Sequence, residues 1–221
     1  MNPLRSASLK LLRLLGLYHP LHDWRRTRRF RVTSHAALAL WQSRGRPMPP
    51  PDIFKYDCIR DYARRHRTST LVETGTWFGN ALFTLRNDFS EIHSIELAPE
   101  LHAQASAALA HLPHIRLHLG DSAVLLPRVA QSLSTPALYW LDGHWCAGPS
   151  ARTDKDTPIS EELAFLLNRP PGRNVVLIDD ARCFNGKNGY PTVEELRTWV
   201  AARRPDSSFT LENDIIRIVP V

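Results

Sequence analysis

The stretch Leu71-Val72-Glu73-Thr74-Gly75-Thr76-Trp77-Phe78-Gly79-Asn80 decides how the rest of the chain is read. Its apolar start predicts a buried strand over Thr70 to Glu73. Gly75 and Gly79 then predict a tight turn where backbone can come close to a ligand, followed by a helix from Asn80 to Asn87. Downstream the same alternation repeats. Further strands are predicted at Glu91 to Glu96, Ile115 to Leu119, Ala137 to Asp142 and Val175 to Asp179. Helices are predicted at Pro99 to Leu112, Ser122 to Gln131, Ile159 to Asn168 and Thr192 to Ala202. Strands alternating with helices of this length call for a parallel sheet covered on both faces. The end of the chain breaks the pattern. Ser208 to Leu211 and Ile215 to Val219 are separated only by Glu212-Asn213-Asp214, which predicts an antiparallel hairpin closing an α/β fold.

Upstream, Asp52 is expected to cap a helix running to about His66. Before it, Gly45-Arg46-Pro47-Met48-Pro49-Pro50-Pro51 forbids a continuing helix, so the boundary is placed there, with an arm and linker over 1–50 and a folded domain over 51–221. The formal charge of +6 suggests a nucleic-acid partner until it is located. Ten lysines and arginines face the single acid Asp23 in the first 50 residues, whereas the remainder is slightly acidic. No nucleic-acid partner is therefore expected. Leu4 to Leu17 reads as a short amphipathic helix, too short and charged to span a bilayer and too interrupted by Lys10 and Arg13 to be a signal peptide. With the basic run Trp24 to Arg31 it is expected to pack on its own domain or on a second subunit of a homo-oligomer. Peripheral contact with anionic lipid is the alternative. Three cysteines, Cys58, Cys146 and Cys183, form no CxxC pair, so a disulfide framework or thiolate zinc site is not indicated and a cytoplasmic location is expected.

In an open α/β sheet, ligands bind beyond the carboxyl ends of the strands, and chemically suggestive residues cluster there in this sequence. The first strand leads into the glycine turn. The second ends in Glu96, whose carboxylate can accept both hydroxyl protons of a ribose, and the third leads into Gly120-Asp121-Ser122, suited to an adenine edge. A nicotinamide dinucleotide would want GxGxxG, which is absent, and Glu73 would repel its pyrophosphate. A sulfonium carrying an amino group tolerates that charge better.

On these residues a family likeness appears. Val72-Glu73-Thr74-Gly75-Thr76, Ser94-Ile95-Glu96 and Gly120-Asp121-Ser122 resemble the first three motifs of class I S-adenosylmethionine-dependent methyltransferases. Trp140-Leu141-Asp142-Gly143-His144-Trp145 and Val176 to Arg182 resemble a bacterial branch related to the macrocin-type sugar O-methyltransferases. The resemblance runs from about Asp52 to the C-terminus. It implies a Rossmann-like fold with a seven-stranded, mostly parallel sheet and a C-terminal antiparallel hairpin. It further implies S-adenosylmethionine bound by Glu73, Thr74, Gly75, Thr76, Trp77, Gly79, Asn80, Glu96, Asp121, Ser122 and Asp142. The implied reaction is O-methylation of a sugar or other hydroxylated small molecule or glycan.

In that branch, aspartates ending the fourth and fifth strands bind a divalent metal, which implies Asp142, Asp179 and Asp180. The residues point the same way. Carboxylates crowded at the ends of neighbouring strands about 4.8 Å apart need a cation or protons, and oxygen ligands without thiolate favour magnesium, manganese or calcium. The competing reading has Asp179 and Asp180 capping the next segment and pairing with Arg182, while Asp142 holds a turn with Gly143. Two residues beyond Asp142, His144 is the preferred general base, with Asp142 itself the alternative. The long loop from Gly143 to Pro158 is expected to cover an acceptor, and Asn188 and Tyr190 to line the same opening. Glu161 and Glu162 read as ordinary first-turn acids of a helix. Two other functions fit the same residues: a metal-dependent hydrolase or glycosyltransferase, and a methyltransferase-like protein that binds without catalysing.

Overall fold

The computed structural model describes residues 18–143, 157–169 and 172–221. They fall into two compact units that divide between Arg46 and Pro47. In the first, helix α1 (Tyr18–Ser43) carries the basic run. Trp24 is exposed, and the Arg28 guanidinium lies 5.6 Å from its ring centroid. The helix ends where Gly45 and Arg46 both take positive φ and the Arg46 amide donates back to the Trp41 carbonyl. The helix predicted over Leu4 to Leu17 lies outside the described residues. No helix among those described is long and apolar enough to cross a membrane.

The second unit opens with α2 (Asp52–His66). Here one detail corrects the expectation. Pro51, in extended conformation, is the capping residue, and Asp52 occupies the first helical position, where its charge complements the helix dipole. The chain then alternates through β1 (Thr70–Thr74), α3 (Asn80–Leu85), β2 (Glu91–Glu96), α4 (Pro99–Leu109), β3 (Ile115–Leu119), α5 (Ser122–Ser132), β4 (Ala137–Leu141), α6 (Ile159–Leu167) and β5 (Val175–Ile178). After a 3-10 turn at Ala181–Cys183 come α7 (Val193–Arg203), β6 (Ser207–Glu212) and β7 (Ile215–Pro220). The sheet order is β3-β2-β1-β4-β5-β7-β6, parallel except for β7, which pairs antiparallel with both β5 and β6. The predicted sheet and hairpin are therefore both present. Asn213 and Asp214, each at positive φ, form the two-residue hairpin turn, a conformation Asn and Asp tolerate better than most side chains.

Burial explains which strands read as apolar runs. The central strands β1, β4 and β5 are buried along their whole length, whereas edge strands β3 and β6 are only partly covered. Val72, Tyr139, Val176 and Ile216 belong to one core cluster with Leu126 and Val129 of α5, Leu163 and Leu166 of α6, and Leu196 and Val200 of α7. Alternation sends Glu73, the residue after Val72, to the other face of β1. There its register neighbours are Ser94 on β2 and Trp140 on β4.

A capping box starts α7: Thr192 Oγ1 accepts from the Glu195 amide, and Glu195 Oε2 accepts from the Thr192 amide. Thr192→Ala removes the cap and is expected to lower stability by about 1 kcal/mol. In a thermal melt this reads as roughly 2–4 °C.

Candidate functional site at the carboxyl edge of the sheet

Parallel strands bring their carboxyl ends to one edge, and the glycine turn after β1 lies along it. Gly75 has φ +88, and its amide donates to the Ile95 carbonyl of β2. A Cβ placed on Gly75 would sit 2.5 Å from the Asp142 carbonyl oxygen, so the turn after β1 packs directly against the end of β4. Trp77 also takes positive φ, and its amide donates to Glu96 Oε2 at 2.8 Å, while the Ala98 amide donates to Glu96 Oε1 at 2.9 Å. Glu96 thus fastens the turn to β2, and each oxygen keeps a second acceptor site. Trp77 and Phe78 pack edge to face with ring centroids 5.1 Å apart and are partly exposed beside it.

Beneath the turn, Thr76, Ser94 and Glu73 form a hydroxyl chain. Ser94 Oγ donates to Glu73 Oε2 at 2.6 Å, and Thr76 Oγ1 lies 2.6 Å from Ser94 Oγ. Glu73 is buried. Desolvation pushes its carboxyl up to about 8 against the Ser94 bond, helped by Asp142 and Glu96 nearby. Burial thus favours its protonated form at neutral pH.

The structure adds a second buried acid that the sequence reading treated as a helix stabiliser. Glu162 of α6 is 1% exposed; the Ser122 and Thr74 hydroxyls are near enough to act on its carboxyl, but neither oxygen makes a well-aligned hydrogen bond among the described residues. Burial pushes it up to about 7, offset in part by the Ser122 and Thr74 hydroxyls and reinforced by Asp121 and Glu161. A Cβ on Gly143 would lie 3.1 Å from Thr74 Oγ1 and 3.6 Å from Glu162 Oε1. Glu162 therefore joins the ends of β1, β3 and β4. Asp121 has a second duty besides the expected one: it caps α5, its Oδ1 accepting from the Ala123 amide at 2.9 Å.

At the end of β5 the strand stops at Ile178, and Asp180 takes φ +53, so the two neighbouring aspartates are not constrained to opposite faces. Both approach one cation, which comes from the chain itself. Lys55 Nζ bonds Asp179 Oδ2 and lies 3.9 Å from Asp180 Oδ1. Asp180 Oδ1 also receives Arg182 Nη1 at 2.6 Å, and Arg182 pairs in addition with Asp214 of the hairpin turn. Asp142 is close enough for its charge to act on Lys55 and Tyr56. Burial and the acids Asp52, Glu73, Asp142 and Asp179 push the Tyr56 phenol far up, so it remains a neutral hydroxyl. Tyr190 lies beside Asp180 and Asp142 and is pushed up for similar reasons.

This arrangement does not fit a resident divalent cation on Asp142, Asp179 and Asp180. Among the described residues no group of three or more His, Cys, Asp or Glu side chains is arranged to hold a metal. A divalent ion roughly 4 Å from the Lys55 ammonium would meet a repulsion of about 8 kcal/mol at an effective dielectric of 20. The pairing of Asp180 with Arg182, the competing reading of the sequence, is what the structure contains. His144, Cys146 and most of the predicted covering loop lie outside the described residues.

No family model matches the chain, and no curated protein resembles it. Solved structures do. The O-methyltransferase TomG from Streptomyces achromogenes, involved in tomaymycin synthesis and solved in complex with SAM, superposes with a TM-score of 0.55. It is 18% identical, over 85% of this chain and 89% of that one. An O-methyltransferase from Bacillus cereus in complex with SAH gives 0.52 at 14% identity, over 84% and 89%. The SAH-bound methyltransferase PaMTH1 from Podospora anserina gives 0.53 at 14% identity, over 76% and 78%. The second unit thus has the class I methyltransferase fold that the strand order and terminal hairpin define.

Proposed function

We infer that this chain is an S-adenosylmethionine-dependent methyltransferase acting on an oxygen of a hydroxylated small molecule, with a sugar or glycan hydroxyl as the acceptor class the sequence resemblance implies. The observation that carries the reading is the convergence of Glu73, Glu96 and Glu162 around Gly75 and Thr74 at the carboxyl edge of the sheet. Two carboxyls whose protonated forms are favoured by burial and by neighbouring acids suit a ligand that brings positive charge. S-adenosylmethionine brings two, a sulfonium and an ammonium, and when bound it supplies an activated methyl group.

In this reading the open oxygens of Glu162 receive the ammonium. Gly75, Thr76 and Trp77 lend backbone to the amino-acid portion, and Glu73 stands beneath it. Glu96 accepts from the ribose hydroxyls with its second acceptor sites. Ser122 and the second oxygen of Asp121 face the adenine, and Gly79 and Asn80 close the turn. Asp142 accepts the acceptor's proton. The other candidate base, His144, lies outside the described residues. The protein's contribution to the chemistry is alignment of the attacking oxygen and removal of its proton. The pairing of Lys55 and Arg182 with Asp179 and Asp180 gives no support to the alternative of metal-centred hydrolysis or glycosyl transfer.

Isothermal calorimetry with S-adenosylmethionine and S-adenosylhomocysteine tests the reading. Binding of both at one site per chain is expected. Glu96→Ala should weaken both at least tenfold, the loss expected when one charged acceptor of a hydrogen-bonded pair is removed. Failure of the wild-type chain to bind either would refute the assignment.

A further inference from the structure

The aspartates at the end of β5 are the acids that sequence resemblance assigns to a metal, yet the cation bonded to Asp179 and within 4 Å of Asp180 is a lysine 124 positions from Asp179 in sequence. Lys55 lies in the first turn of α2, and α2 leads into β1, so its N-terminal turn comes to the same edge as the strand ends. Its side-chain head is 15% exposed, while that of Asp179 is fully buried. Asp179 also accepts the Asp180 amide through Oδ1 at 2.8 Å, so both of its oxygens are engaged by the protein. One oxygen of Asp180 faces Lys55 and Arg182 together. A metal drawn to Asp179 Oδ2 or Asp180 Oδ1 would meet the positive charge of Lys55, and at Asp180 that of Arg182 as well.

We propose that Lys55 is the resident cation of this site, standing where a divalent ion would otherwise sit, so that the site works without a metal. Its ammonium pairs with Asp179 directly and shares Asp180 with Arg182. It has three donors, of which Asp179 takes one, so the same ammonium can also donate to an oxygen at the acceptor end of the cleft. A divalent ion supplies positive charge to such an oxygen, and the lysine supplies it from within the chain. The inference rests on the methyltransferase reading for its purpose but not for its test.

Manganese is the probe, followed by electron paramagnetic resonance on the full chain at pH 7.5. The wild-type protein is expected to bind no Mn2+ tighter than about 1 mM, because the lysine holds the place electrostatically. Lys55→Ser, which removes the ammonium and leaves room, is expected to create one Mn2+ site at least tenfold tighter. Lys55→Arg is expected to keep the wild-type behaviour. Thermal melts show whether each variant is folded; should Lys55→Ser not fold, the wild-type titration with Asp179→Asn as its control still decides. A wild-type Mn2+ site that Asp179→Asn abolishes would overturn the proposal, and so would a folded Lys55→Ser protein with no gain in Mn2+ affinity. S-adenosylmethionine binding that persists in excess EDTA supports the proposal, whereas loss of it on adding EDTA overturns it. Absence of cofactor binding under all conditions strikes at the methyltransferase reading instead.

Discussion

Glu162→Gln is expected to make the ligand-free protein more stable at pH 8 and at the same time to weaken its cofactor binding. The first effect follows from linkage. The folded-state carboxyl is pushed up to about 7 from an ordinary 4.5. Below 4.5 both folded and unfolded chains hold the proton, and stability does not depend on this group. Between 4.5 and about 7 the folded chain keeps a proton that the unfolded chain has released. Stability therefore falls as pH rises, by about 1.4 kcal/mol per pH unit. Above about 7 the loss is complete, at roughly 3 kcal/mol for so buried a group. Glutamine mimics the protonated acid and escapes the loss. The melting midpoint of the variant should exceed that of the wild type by about 5–10 °C at pH 8 and match it near pH 5.

The second effect comes from the same unpaired oxygens. If they receive the ammonium of S-adenosylmethionine, the variant loses a charge-assisted hydrogen bond and should bind at least tenfold more weakly, about 1.4 kcal/mol or more. An arriving cation also draws the protons off Glu162 and Glu73. Wild-type affinity should then climb between pH 6 and 8 with proton release, and the glutamine variant should show a shallower climb. Melting curves across pH and calorimetry in buffers of differing ionisation enthalpy read both effects. Equal midpoints at pH 8 would mean that burial does not raise the Glu162 carboxyl, which the folded chain then carries charged at no cost. Unchanged affinity would remove it from the cofactor site.

What the sequence reveals and what it hides at this edge has a common physical origin. Strands β1, β4 and β5 are legible because both their faces are buried, which forces unbroken apolar runs. The hairpin is legible because Asn213 and Asp214 suit a turn at positive φ. The glycine turn announces itself because few side chains could replace Gly75. Lys55, Tyr56 and Glu162 give no such signal. Each lies in the first two turns of a helix that leads toward a parallel strand, α2 before β1 and α6 before β5. A helix packed on the sheet that leads directly into a strand runs back along it, so its N-terminal turns come to the carboxyl edge, whether it crosses over between strands as α6 does or precedes the first one as α2 does. Topology thus places these turns at the ligand edge, but helical periodicity alone does not say which of their side chains turns inward. Glu161 and Glu162 are indistinguishable as first-turn acids until packing buries the second of them. The partner of Asp179 is hidden for a related reason: the Lys55 ammonium comes from a helix on the far side of β1 in the chain.

Gly75→Ala is expected to be the most damaging single substitution at the site, costing both stability and cofactor binding. Two penalties combine. At φ +88 an L side chain is strained by roughly 1–2 kcal/mol. In addition, the new methyl would stand 2.5 Å from the carbonyl oxygen of Asp142, 2.9 Å from its carbonyl carbon and 3.2 Å from the Gly143 Cα. All three are backbone atoms, and the Asp142 amide is itself tied to the Thr74 carbonyl at 3.1 Å, so the end of β4 cannot retreat without parting from β1. Overpacking of this kind adds about 1–3 kcal/mol. The total, about 2–5 kcal/mol, should lower the melting midpoint by roughly 5–15 °C. Separation of the two strand ends would carry Asp142 away from Lys55 and Tyr56 and open the turn that holds Trp77 against Glu96. Calorimetry should therefore show S-adenosylmethionine affinity reduced by at least a hundredfold. Gly45→Ala is the matching control. Gly45 has a similar φ of +77, but a Cβ there meets nothing within 4 Å, so only the conformational strain remains. Its melt should shift by a few degrees at most and its cofactor affinity not at all. If the two alanine variants behaved alike, the close approach of the β1 turn to the end of β4 would have no energetic weight, and the cleft described for the cofactor would have to be drawn elsewhere.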